Sequence, residues 1–226
     1  PLALSIGMDE FTKMLDGASV VDKHFLQNEG ASNLCLRAAF SDQYYARIMG
    51  SQTRACFVYD ERLRLFPSYL QQLEMESNGK RVKLDGSPVT GPTAPITWGG
   101  VGTDAQHAVF QLLHQGTHTI PTDFVACIMS GDALDSSHHE ILLANCFAQS
   151  AALMTGGQMS SGGKDPAREF PGNRPSASIL CDDLSAETLG ALIAFHEHRV
   201  FANAVLMEVN PFDQFGVELG KKMAID

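Results

Sequence analysis

The stretch LEMESNGK, residues 73–80, sets a carboxylate, Glu76, just ahead of an Asn-Gly stop at the end of what reads as an amphipathic helix. A carboxylate there is either simply solvated or, given suitable partners, takes up and returns a proton. Two other residue types suited to such chemistry lie far along the chain. His114 stands just before a Gln115-Gly116 stop, and Lys221 follows Gln214 by seven residues, a helical spacing that would put an amide and an ammonium on one face. A carboxylate, a histidine and a lysine on three separate elements have the composition of an acid-base set. Each also has an ordinary structural reading: a hydrated side chain, a hydrogen-bonded histidine, a lysine that snorkels beside a helix C-terminus. Spacing alone does not assemble the three.

The elements that must position them follow from periodicity. Residues 8–27 read as a helix interrupted by Gly17, and residues 33–49 as a second helical run. From RACFVYD (54–60) onward, apolar β-type runs alternate with amphipathic helices. Helices are expected at 63–76, over DAQHAVFQLLHQG, over SHHEILLANCFAQSAALMTGG and over SAETLGALIAFHEHRVFA. Strands are expected at ITW, TIPTDFVACIM, SASILCDDL and NAVLMEV. The last helix, NPFDQFGVELGKKMA, would start with Asn210 as N-cap and Pro211 at its first position. This order implies an α/β fold, a three-layer doubly wound and mostly parallel sheet, with preceding helices and a closing C-terminal helix. In such sheets ligands gather at the carboxyl ends of the strands, so chemistry is expected in those loops.

Several tempting motifs fail on context. GGVGTDAQHA contains G-x-G-x-x-A at 100–105, but the strand before it is short and the next acid, Asp123, opens a strand where the dinucleotide fingerprint wants one at the end. The loop at 155–175 lacks the glycine and the Ser/Thr of a phosphate loop, since Gln158 and Asp165 stand in those places. His107 and His114 are too far apart along one helix to share a zinc ion, and the HHE (138–140) and HEH (196–198) groups read as surface histidines. No metal site is expected.

A formal charge of -10, from 16 basic and 26 acidic residues, argues against a broad nucleic-acid surface. Cysteines at 35, 56, 127, 146 and 181 have no C-x-x-C spacing and read as free thiols of a reducing compartment, making the cytoplasm the expected location. The opening PLALSIGMDEF is too short in apolar residues for a membrane anchor and has no basic start, so no membrane association is expected. Because Pro1 begins abruptly on an apolar segment, the chain is expected to be a fragment.

LEMESNGK, TGP at 90–92, WGGVGTDAQHAVFQLLHQGT with IPTDF, HHEILLANCFAQSAALMTG, GNRPSASIL, LGALIAFHEHRVF and NPFDQFGVELGKKMA together resemble, in order, the C-terminal half of the glucose-6-phosphate isomerase family. The resemblance covers nearly the whole chain and is weakest at 156–170. It implies residues 1–50 as linking helices that continue from a sugar-isomerase (SIS) domain upstream, and residues 51–226 as the second SIS domain. It further implies interconversion of an aldose and a ketose 6-phosphate through a cis-enediol, without metal or cofactor. On that resemblance Glu76 is the base moving a proton between C1 and C2, while His114 and Lys221 serve ring opening. His114 would reach the neighbouring subunit's site in a homodimer, and Gln72 and Gln214 would contact substrate. The family's Ser/Thr-rich phosphate loop and the arginine of its GGR motif would both lie upstream of Pro1. The other readings of the same residues are a non-catalytic SIS-type sugar-phosphate-binding module and an extracellular signalling role.

Overall fold

The computed structural model describes residues 1–131, 133–158 and 165–224. Part of the 155–175 loop weighed as a phosphate loop, residues 159–164, lies outside the described residues. The chain begins with α1 (Leu2–Ile6), α2 (Met8–Gln27) and α3 (Leu34–Gln43), the last continuing into a π-turn over Tyr44–Ile48. Then come β1 (Thr53–Tyr59), α4 (Phe66–Asn78), β2 (Ile96–Val101), α5 (Gly102–Ala108), α6 (Phe110–Gln115) and β3 (Thr122–Cys127). The rest comprises α7 (Ser136–Thr155), a short ribbon of β4 (Gly157–Gln158) and β5 (Glu169–Phe170), β6 (Ser176–Cys181), α8 (Ala186–Met207) and α9 (Glu218–Met223).

Among the described residues the main sheet has four parallel strands in the order β2-β1-β3-β6. The connection leaving β1 runs outward to β2, while those from β2 and β3 run the other way, which is the doubly wound arrangement. β3 is buried along its whole length and β1 at every residue but Thr53, so both read as continuous apolar runs. One face packs Phe57, Tyr59, Phe124 and Ala126 against Phe110, Leu113, Cys146 and Leu153 of α6 and α7. The other packs Cys56, Val58, Val101 and Val125 against Phe66, Leu70 and Leu192 of α4 and α8. Both faces of the sheet are therefore covered by helices, giving three layers. β6, at the sheet's edge, keeps much of its surface exposed.

Three expected elements come out differently. NAVLMEV is not a strand: α8 runs on through it to Met207 because Ala202, Asn203, Ala204 and Met207 face inward at helical intervals. A seven-residue apolar run does not distinguish the two periods by itself. α8 ends instead on Glu208 in the left-handed region (φ 61), where the Glu208 and Val209 N–H groups close back on Val205 and Ala204 as in a Schellman turn. The helix expected over DAQHAVFQLLHQG is broken at Val109 into α5 and α6, so His107 and His114 do not share a helix face. Asn210 caps no helix; its Oδ1 accepts the Phe212 N–H and its amide donates to Asp213, shaping a turn. Helical structure resumes only at a 3-10 turn, Phe215–Val217, and then α9, so Gln214 and Lys221 do not lie on one helix.

Gly17, an interruption on propensity grounds, has a packing reason. A Cβ at Gly17 would stand 1.8 Å from the Glu187 carbonyl oxygen, and one at Gly190 would stand 1.8 Å from that of Met14. The two glycines let α2 and α8 touch backbone to backbone. An Ala for Gly exchange inside an exposed helix normally gains about 1 kcal/mol. Gly190→Ala is expected instead to destabilise by about 1–3 kcal/mol through overpacking. Gly220→Ala, at a position with open space around it, should be neutral or better. Thermal unfolding of the two variants beside the parent checks this.

Candidate active site

α4 opens with Phe66-Pro67, the proline standing where its missing N–H costs no helical bond. It buries Phe66 and Leu70 toward the sheet, and its last turn is built by the ESNGK residues one by one. The Asn78 amide donates to Glu74 Oε1 at 3.0 Å and to the Val200 carbonyl at 3.1 Å. Gly79 returns its N–H to Met75 O at 3.1 Å, and any Cβ at that glycine would sit 2.3 Å from the same oxygen. Lys80 Nζ caps the helix end by donating to the carbonyls of Glu76 (2.7 Å) and Ser77 (2.9 Å). It also stands 3.6 Å from the Asp213 carboxylate. Asn78, Gly79 and Lys80 are thus consumed in terminating the helix. The Glu76 carboxylate is left exposed, with the Gln72 amide donating to its Oε2 at 3.3 Å.

What fixes this turn in space is a buried ionic cluster that sequence reasoning missed. Arg199 on α8 donates through Nε and Nη2 to the two Asp42 oxygens at 2.7 and 2.6 Å, and through Nη1 to Asp123 at 2.7 Å. Arg54 at the start of β1 donates to Asp42 at 2.9 Å and reaches Glu74 of α4 at 3.4 Å. Asn203 donates to Asp42 at 2.9 Å and accepts from Gln43 at 2.8 Å. Burial alone would push the Asp42 carboxyl up, but Arg199 and Arg54 overcome it and hold it well below the usual carboxylate range. Glu74 goes the other way, raised first by burial and then by Asp42, with Arg54 offsetting only part. Two guanidinium groups thus face three carboxyl groups in one buried cluster. The only sequence signals for this cluster were single charges inside apolar strand runs, Arg54 in RACFVYD and Asp123 in TDFVAC.

The expected site residues divide into groups. Gln72 and Glu76 meet directly. Gln214 is exposed and adjoins Asp213, whose ion pair with Lys80 ties the C-terminal segment to the end of α4. His114 lies in the layer on the opposite face of the sheet, its Nε2 2.8 Å from Gln149 Oε1 and its ring edge-on to Phe110 and Phe170. Lys221 is exposed on α9, and among the described residues its ammonium forms no hydrogen bond or ion pair. The location also departs from expectation. Glu74 contacts Arg54 at the start of β1 and Gln71 bonds the Thr97 carbonyl near the start of β2, so the Glu76 turn sits at the amino edge of the sheet rather than at the carboxyl ends of the strands.

The surface-histidine reading needs correcting at three positions. His196 is fully buried against Phe66 and Phe195, and burial followed by Arg199 and Arg54 holds it well below its ordinary pKa, hence neutral. His198 stacks on Phe25 at 4.4 Å and bonds Asp22 at 2.7 Å, joining α8 to α2. His139 Nε2 lies 3.0 and 2.9 Å from the Cys127 and Ile128 carbonyls at the end of β3.

The three-layer parallel sheet and the exposed, amide-supported carboxylate at its amino edge define an α/β domain with an acid-base candidate at a helix end. The phosphoglucose isomerase family model matches residues 1–226. Glucose-6-phosphate isomerase of Erythrobacter litoralis is 73% identical over 226 residues, covering 100% of this chain and 44% of that protein. The corresponding protein of Novosphingobium aromaticivorans is 64% identical over 224 residues, covering 99% of this chain and 43% of its own length. The crystal structure of a glucose-6-phosphate isomerase from Chlamydia trachomatis superposes with a TM-score of 0.88 at 36% identity, over 97% of this chain and 43% of that one. The chain belongs to the phosphoglucose isomerase family, and it spans less than half the length of these relatives.

Asp42→Asn removes the anion shared by both guanidinium groups, and leaving buried charges short of a partner is expected to cost about 3–5 kcal/mol. The pH dependence has a definite sign. Because the folded state depresses the Asp42 pKa, its stabilisation is complete above the unfolded aspartate value of about 3.9 and is lost as pH falls below it toward the folded value. Urea midpoints should therefore drop steeply in acid for the parent and less steeply for Asp42→Asn.

Proposed function

We propose that this chain carries the catalytic carboxylate of an aldose-ketose isomerase that interconverts glucose 6-phosphate and fructose 6-phosphate. The observation that carries the reading is the division of labour in ESNGK: Asn78, Gly79 and Lys80 hold the helix end while the Glu76 carboxylate stays open to a ligand, with only the Gln72 amide on it. Membership of the phosphoglucose isomerase family and the names of the relatives support the substrate class.

In the forward direction Glu76 takes the proton from C2 of the open-chain aldose, and a cis-enediol forms as the carbonyl oxygen at C1 gains a proton. The same carboxyl then returns its proton to C1 while the C2 hydroxyl gives up its own, leaving the ketose. One group does both steps, which suits a carboxylate held by a single neutral amide that neither neutralises nor buries it. Gln72 orients Glu76. Gln214 and Lys221, on the segment that the Lys80–Asp213 pair ties to α4, contact the sugar oxygens, and Lys221 assists ring opening. The sequence of steps uses proton transfer alone and calls for no metal or cofactor.

His114 acts in ring opening at the site of a neighbouring subunit in a homodimer. Its position favours this role, because the sheet stands between His114 and Glu76 within one chain. Residues 1–50 act as linking helices and 51–226 as a SIS domain, working in the cytoplasm with a first SIS domain that brings the phosphate loop and an arginine to the enediolate.

A coupled assay supplying fructose 6-phosphate and detecting glucose 6-phosphate tests the assignment in the longer protein of which these residues form the C-terminal part. Glu76→Gln should lower kcat by about 10²- to 10⁴-fold, the usual worth of a general base, with KM nearly unchanged. The isolated 226 residues should turn over at least about 10²-fold more slowly than the longer protein, as expected when an electrostatic stabiliser is lost. Undiminished turnover in Glu76→Gln, with sugar phosphate still bound, would replace catalysis by the non-catalytic binding module.

A further inference from the structure

At the carboxyl edge of the sheet, opposite the Glu76 turn, β3 and β6 end on directly paired cysteines. Parallel pairing sets Cys127 beside Cys181, two residues beyond the pair Val125 and Ile179. Val125 and Ile179 both pack into the core under α4 and α8, so the two thiols point to that same side of the sheet. Paired residues on neighbouring strands are separated by about 4.8 Å, within the range of about 4.4–6.8 Å that a disulfide spans between Cα atoms. Asp60, just past the end of β1, is close enough to Cys127 for the two groups to influence each other. Cys127 is fully buried, whereas Cys181 is partly exposed, so Cys181 is the member of the pair nearer to solvent.

The remaining cysteines differ. Cys35, Cys56 and Cys146 are buried free thiols with no cysteine beside them among the described residues, and burial pushes their pKa values up to about 11, 12 and 11. Cys181 shifts the other way: the hydrogen bond from Cys127 lowers it, against burial and the neighbouring Asp182 and Asp183. A thiolate is the nucleophilic form, and of the pair only Cys181 is partly exposed, so a solute oxidant meets Cys181 first.

We propose that Cys127 and Cys181 form a redox-reactive pair that a peroxide oxidant converts into a cross-strand disulfide. The Cys181 thiolate attacks one oxygen of hydrogen peroxide, the O–O bond breaks, and Cys181 becomes a sulfenic acid while the departing hydroxide takes a proton to form water. The Cys127 sulfur then attacks the Cys181 sulfur, the S–O bond breaks, and the hydroxyl leaves with the Cys127 proton as a second water. Two thiols lose two electrons in all, and one peroxide is reduced to two waters. The product removes a thiol that stands beside Asp60, on the loop between β1 and α4.

The purified protein is treated with hydrogen peroxide, quenched, denatured and alkylated, and its peptides are mapped by mass spectrometry. The expected result is a fall from five alkylatable thiols to three, a Cys127–Cys181 cross-linked peptide, and return to five after dithiothreitol. Cys181→Ser, at a partly exposed position, should abolish the cross-link and keep its four remaining thiols. Cys127→Ser should accumulate a sulfenic acid at Cys181 that dimedone traps; if burial makes that variant unstable, Cys181→Ala carries the comparison beside Cys181→Ser. Retention of all five thiols in the parent, a bridge through any other cysteine, or a bridge only between two chains would overturn the proposal.

Discussion

Two guanidinium groups and three carboxyl groups, sealed from water between the sheet and its helices, are the constraint on which the rest of the molecule depends. Arg199 and Arg54 meet at Asp42, and from that point the cluster reaches β3 through Asp123 and α4 through Glu74. Ions in such surroundings are costly unless every partner is in place, so the cluster tolerates little displacement of any element that contributes to it. α3, β1, α4, β3 and α8 are thereby locked at one edge of the sheet. The Glu76 turn hangs directly from that lock, since Glu74 and Asn78 belong to the same last stretch of α4.

That arrangement explains why an exposed carboxylate can still be accurately aimed. Its own contacts are few, but Glu74 and Asn78, two positions to either side, are buried and hydrogen-bonded. Support of that kind beneath a solvent-facing group suits the proton-transfer role proposed for Glu76, because a base must approach its substrate in one rotamer family. Burial of Glu74 and exposure of Glu76, only two positions apart, follow from the helical period: one points inward to Arg54 and the other out.

Much of this was legible in the sequence, and the reasons for the gaps are physical. The strand runs TRACFVY and TDFVAC announced a buried parallel sheet because both their faces are covered, and ESNGK announced a helix end. The cluster was not legible, because Arg54 and Asp123 look like isolated charges at strand starts while Asp42 and Arg199 look like ordinary surface positions on helices; only the register of β1 against β3 and the packing of α8 bring them together. NAVLMEV misled because an apolar run carries no period of its own, and its helical course is decided by Asn203 turning inward to Asp42. HEH misled in the same way, since helix neighbours diverge: His196 faces the core while His198 faces α2. The pairing of Cys127 with Cys181 is likewise a product of strand register, invisible to any search on spacing.

The backbone contact between α2 and α8 has a mechanical meaning. With Gly17 and Gly190 seated against each other's helices, and His198 stacked on Phe25 a few turns away, α2 has little freedom to slide or roll without taking α8 along. α8 also carries Arg199, so the helix that grips α2 is the one that anchors the Asp42 cluster and, through Arg54 and Glu74, the end of α4. The opening helices are thus built into the same frame that bears the Glu76 carboxylate.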